Sequence, residues 1–140
     1  MKLSIRNRFD ATVESVAIGP AMTAIHARLT GGQLITAAIT SEAAVDLQLQ
    51  PHSAVQVLIK STEVSVSVDP VGRVSVRNVL PGTVVAVDHG EIMSTLKVGL
   101  PGGDVLTAVI TKESALELAL DVGVAVTALV KSTDVAIGVA

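Results

Sequence analysis

The sequence has no cysteine, no tryptophan and no tyrosine, and Phe9 is its only aromatic residue. Without cysteine there is no disulfide, no thiolate metal site and no cysteine nucleophile. Without aromatics there is no stacking platform of the kind small β-barrels use to hold single-stranded nucleic acid. The net charge is −3, so no basic field awaits a phosphate backbone. No apolar run reaches the roughly 18 residues of a membrane span. The opening Met1-Lys2-Leu3-Ser4-Ile5-Arg6-Asn7 lacks the apolar core of a secretory signal. These absences lead us to expect a soluble, cytoplasmic protein with no nucleic-acid and no membrane partner.

Aliphatic residues are abundant. Hydrophobic residues make up 49% of the 140-residue chain, mostly Val, Ala, Leu and Ile. Val and Ile are stiff at χ1 and fit the pleated surface of a sheet. The chain also repeats itself at a constant offset of 71 residues, without a gap. Ser4-Ile5-Arg6-Asn7 matches Ser75-Val76-Arg77-Asn78, and Thr12-Val13 matches Thr83-Val84. Gly31-Gly32 matches Gly102-Gly103, Ile39-Thr40 matches Ile110-Thr111, and Lys60-Ser61-Thr62 matches Lys131-Ser132-Thr133. Two domains follow, 1–70 and 71–140, joined around Asp69-Pro70-Val71-Gly72-Arg73, where Pro and Gly punctuate the chain. A unit this small buries only about 60% of its unfolded surface. The halves should therefore share a core or an interface.

Each repeat reads as five strands with one short helix. The strands are expected near 7–16, 22–29, 34–39, 54–60 and 64–68, and again near 78–87, 93–100, 105–110, 125–131 and 135–139. Gly31-Gly32 and Gly102-Gly103 make hairpin turns, since Gly tolerates positive φ. Helices follow at 41–47, capped by Thr40 or Ser41, and at 112–118 after Thr111. The last two strands are expected to close their own unit. The pattern is all-β and resembles a small OB-like barrel.

Three polar segments recur without being obvious core: Ser-x-Arg-Asn, the Thr at the helix start, and Lys-Ser-Thr after the fourth strand. Together they offer a guanidinium, an ammonium, hydroxyls and helix N–H groups, all hydrogen-bond donors. Donors of this kind suit an oxyanion. Each segment also has a plainer reading: a strand-entry turn, a helix cap, and a surface lysine. His26, His52 and His89 align with Lys97, Gly123 and Ile18, so no histidine metal site repeats. No nucleophile–base pair stands out, and the expectation is a binding protein rather than an enzyme.

The segments Ser4–Val13 and Ser75–Val84, the Gly-Gly turns, the Ile-Thr-x-Glu helix starts and Val-Lys-Ser-Thr-x-Val near the end resemble the Mop domain, over nearly the whole chain and twice. That arrangement is similar to the tandem-Mop molbindins, cytoplasmic molybdate-binding proteins. The resemblance implies two five-stranded Mop domains in a trimer, with molybdate or tungstate held between domains, for storage and homeostasis. It implies no organic cofactor and no direct metal ligand. It assigns Ser4, Arg6, Thr40, Lys60 and Ser61 as ligands in the first copy. Their counterparts are Ser75, Arg77, Thr111, Ser114, Lys131 and Ser132, with the backbone N–H groups of Ile5 and Val76 joining them. It also implies that the Lys segment faces the Arg segment across an interface. The sequence departs from the family pattern where Ala43 stands opposite Ser114, and where Asp10-Ala11 stands opposite Pro81-Gly82. A third departure is at the usual Val-Asn-Ala, here Met22-Thr23-Ala24 and Met93-Ser94-Thr95. The alternative is a structural or interaction module that binds no anion.

Overall fold

A computed structural model describes residues 1–140. In the first repeat β1 (Asn7–Ile18), β2 (Met22–Leu29) and β3 (Leu34–Thr40) precede α1 (Ser41–Asp46), β4 (Ala54–Ile59) and β5 (Ser65–Ser67). In the second, β6 (Asn78–His89), β7 (Met93–Gly99) and β8 (Val105–Thr111) precede α2 (Lys112–Glu117), β9 (Ala125–Val130) and β10 (Val135–Gly138). The strands form because apolar residues alternate: Phe9, Ala11 and Val13 point inward from β1, while Asp10, Thr12 and Glu14 face water. Thr40 and Thr111 are the helix caps, accepting from the Ala43 and Ser114 backbone N–H groups.

The strands form two antiparallel five-stranded sheets, ordered β10-β4-β1-β2-β3 and β5-β9-β6-β7-β8. The fifth strands are therefore exchanged, correcting the expectation that each repeat closes its own sheet. Ala136 pairs with Leu58 and Ile137 with Val57, and the mirror pairs are Ser65 with Leu129 and Val66 with Ala128. The cause is local. After β4, Ser61–Glu63 make one 3-10 turn between extended Lys60 and Val64, with no hairpin to fold the chain back. The segment runs on to the other half. Alternation specifies that a strand forms, but two similar repeats offer it two similar partners.

One cluster of 26 buried residues draws on both halves, with Ile25 and Val57 from the first and Leu96 and Leu106 from the second. Each such side chain contributes roughly 1.5–3 kcal/mol when fully buried. The small repeats thus share a core, as their size requires. The two Gly-Gly turns also meet: Gly102 has φ +95°, and a β-carbon there would overlap the Gly31 carbonyl oxygen. Gln33 donates its side-chain amide to the Pro101 carbonyl across this junction.

Candidate functional site

β1 and β4 are antiparallel neighbours, with Asn7 opposite Ile59. The residues just before Asn7 must then lie beside those just after Ile59. The pairing therefore brings the Ser-x-Arg segment to the Lys-Ser-Thr segment of the same repeat, although they are far apart in sequence, which corrects the expectation that the two face each other across an interface. Ser4, Ile5, Arg6, Lys60, Ser61 and Thr62 line one groove of about 200 Å³. Its lining holds two cations and three hydroxyls, and no carboxylate. The Arg6 guanidinium is folded onto its own loop, Nε donating to the Ser4 carbonyl at 3.1 Å and Nη2 to that of Leu3 at 2.8 Å.

The second repeat follows the same rule, since Asn78 lies opposite Val130. A groove of about 280 Å³ is lined there by Val76 and Lys131, together with Thr62, Glu63 and Ser65 from the first repeat and Leu129 and Asp134. This lining carries two carboxylates, which the first groove does not. Ser75 and Arg77 flank Val76 and are exposed, and Ser132 is half-buried beside Lys131.

The helix starts line neither groove. Thr40 is exposed and its hydroxyl accepts from the Ala43 N–H at 3.2 Å. Thr111 accepts from the Ser114 N–H at 3.1 Å and donates to the Ser114 hydroxyl at 2.7 Å. Thr111 and Ser114 line a cavity of about 360 Å³ with Thr62, Ser65 and Met93. Thr62 thus borders all three cavities. The sequence marks it only by its repetition as Thr133 within Lys-Ser-Thr, and it lies outside the expected ligand set. The contact follows from the strand exchange, which carries the Ser61–Glu63 turn onto the second half.

Ser4, Arg6, Thr40, Lys60, Thr111 and Lys131 are all exposed. In one chain these donors are open to water, where charge-assisted hydrogen bonds are weakened. No three His, Cys, Asp or Glu side chains gather as a metal site, and no helix is long and apolar enough to cross a membrane. The arrangement is a set of cationic and hydroxyl donors on a rigid β-scaffold, suited to holding an oxyanion without covalent chemistry.

Comparison with known proteins agrees with the repeat. A family model described as the TOBE domain matches residues 3–66 and 74–137. The chain is 36% identical over 140 residues to the molybdenum transport protein ModE of Herbaspirillum seropedicae, covering 99% of this chain and 52% of that protein. It is 38% identical over 136 residues to the molybdenum-pterin-binding protein MopB of Rhodobacter capsulatus, covering 96% and 50% respectively. The chain thus spans about half the length of these relatives. Among solved structures, the cytoplasmic molybdate-binding protein ModG, crystallised with molybdate bound, superposes with a TM-score of 0.97 at 34% identity, covering 100% of each chain. Its fold is the tandem OB-like arrangement described above.

Proposed function

Because the chain belongs to the TOBE-domain family and carries the domain twice, we propose that it binds molybdate or tungstate reversibly, as a cytoplasmic storage and homeostasis protein. The observation that carries this reading is the groove lined by Ser4, Ile5, Arg6, Lys60, Ser61 and Thr62, which has two cations and no acid on a protein of net charge −3. A tetrahedral dianion there is formally neutralised by Arg6 and Lys60, while the hydroxyls and the Ile5 N–H meet its remaining oxygens. Ser75, Val76, Arg77, Lys131 and Ser132 are the corresponding set in the second repeat, where Val76 and Lys131 line a groove that also holds Glu63 and Asp134. Thr40 completes the first ligand set and Thr111 and Ser114 the second.

A homo-oligomer, a trimer in our reading, completes the sites and removes water from them. Ile18 and Ile92 are 78% and 75% exposed, and Val45 and Leu116 stand out from the helices. Apolar surface of this kind on both repeats is what a partner copy would cover. Dry, fixed donors hold an anion more strongly than open ones. A cavity that closes rigidly around molybdate would hold the smaller sulfate loosely.

The test is calorimetric titration of anion-free protein with molybdate in sulfate buffer, with a solution mass. Saturable uptake of more than one anion per chain in a trimer supports the reading. No heat and no thermal shift at millimolar molybdate leaves a structural or interaction module.

A further inference from the structure

We infer that Asn7 and Asn78 are the positioning residues of the two grooves, each fixing the loop that carries Arg6 or Arg77 by pinning it to the opposite half. The inference rests on the anion-binding reading above. The Asn7 amide reaches β8 of the second repeat: Nδ2 donates to the Thr107 carbonyl at 2.8 Å, and Oδ1 accepts from the Thr107 N–H at 2.7 Å. Asn78 makes the mirror pair on β3 of the first repeat, donating to the Thr36 carbonyl and accepting from the Thr36 N–H, both at 2.8 Å.

The chemistry requires an amide. β3 and β8 each lie at one edge of their sheets, and an edge presents N–H and C=O groups that need partners. One Asn side chain supplies a donor and an acceptor together, acting as a short piece of an additional strand. Asp could not donate, and an aliphatic residue could do neither. Asn7 and Asn78 are 2% and 1% exposed. A buried amide is tolerated only when bonded, so its position is fixed.

Arg6 and Arg77 are each one peptide upstream of this anchor. The other side-chain hydrogen bonds of the first loop run from Arg6 to the Ser4 and Leu3 carbonyls and from Arg8 to the Met1 carbonyl. These are internal to the first eight residues and cannot place the loop relative to Lys60. Together with the backbone ladder at Asn7, the Thr107 contact does so. Each Arg loop thus takes its position from the ladder of its own repeat and from the amide contact to the other half.

The test isolates each groove in turn. In an Arg77→Ala background, adding Asn7→Ala should weaken molybdate binding roughly tenfold to a hundredfold, the usual effect of losing a positioning contact behind a ligand. In an Arg6→Ala background, the same Asn7→Ala should leave the remaining groove nearly unchanged. Equal loss in both backgrounds, or no loss in either, overturns the inference: the first outcome makes Asn7 mere glue between the halves. Amide exchange gives a readout independent of the anion. Asn7→Ala should speed exchange at residues 5 and 6 but not at 76 and 77, and equal or absent changes overturn the inference. If the unaltered chain takes up no molybdate, the proposed function fails while the exchange measurement still decides the role of Asn7. Should Asn7→Ala not fold, Asn7→Ser, which also breaks the amide pair, is read the same way.

Discussion

Val135 lies opposite Ile59, so the second repeat supplies the strand that completes the sheet of the first. Val135 is 3% exposed and belongs to the shared core. Val135→Ala removes buried methyl groups and should destabilise the protein by roughly 1–3 kcal/mol. Where the damage appears is the sharper test. Native-state hydrogen exchange should show lost protection at Val57 and Ile59 of β4, in the other repeat. Loss confined to β9 and β6 would mean that the strand stays with its own unit.

Arg6→Ala and Lys60→Ala should each weaken molybdate binding about ten- to hundredfold, because a hydrogen bond to a charged group is worth roughly 1.5–3 kcal/mol. Arg6→Lys should recover only part of this, since an ammonium cannot reproduce the planar fork of a guanidinium. Arg8, whose side chain donates to the Met1 carbonyl, is the control: Arg8→Ala should leave the affinity nearly unchanged. Titration calorimetry of the four variants decides whether the Arg6–Lys60 groove is the site.

The elements themselves were legible from alternation and punctuation. β2 was expected at Met22–Leu29 and is found there, and the remaining strands and helices fall within two residues of expectation. The 3-10 turns at Ser61–Glu63 and Ser132–Asp134 were not foreseen, because three residues carry no periodicity. The partner of β5 was not legible either: Val66 could pair with Val57 of its own repeat or with Ala128 of the other, and the repeat makes these strands alike. The meeting of Arg6 with Lys60 follows from the Asn7–Ile59 register, which a list of motifs does not contain. Asn7 and Asn78 are visible in the sequence within Ser-x-Arg-Asn, but their partners Thr107 and Thr36 emerge only once the halves are packed.

Thr40 has two readings that substitutions can separate. As a cap, Thr40→Ala should cost about 0.5–2 kcal/mol, and Thr40→Asp should retain the stability because Asp caps as well as or better than Thr. If Thr40 also faces an anion held by a neighbouring copy, Thr40→Asp places a carboxylate against it. Stability would then be kept and molybdate affinity lost. Chemical denaturation and titration on the same variant read the two roles independently. Unchanged affinity in Thr40→Asp would leave Thr40 as a cap alone.

Glu14 and Arg28 form the surface ion pair across β1 and β2, with Nε to Oε1 at 2.8 Å and Nη2 to Oε2 at 3.1 Å. The hydrogen bond from Arg28 holds the Glu14 carboxyl below the ordinary glutamate range. A depressed carboxyl is ionised more readily in the folded than in the unfolded chain. Its stabilisation is therefore present above the unfolded value and is lost as pH falls through the folded one. The pair is open to solvent, so the effect should be small and should shrink further in salt. NMR titration of the Glu14 carboxyl should give a low midpoint that rises in Arg28→Ala.

His52 and Gly123 occupy equivalent turns, each backbone N–H donating to its neighbour at 2.8 Å, to Val13 and Val84 respectively. Their φ values are +77° and +94°. Positive φ is readily adopted by Gly and strained for a residue with a β-carbon. The second repeat has thus placed Gly where the first carries the strain. His52→Gly should stabilise the protein by about 0.5–1 kcal/mol, the relief of strain outweighing the greater freedom Gly gives the unfolded chain. Gly123→Ala should do the opposite, by about 1 kcal/mol or more. Denaturant midpoints of the two variants, at unchanged m-value, should move in opposite directions. A fall in both would mean that the His52 side chain makes a contribution exceeding the strain of its backbone.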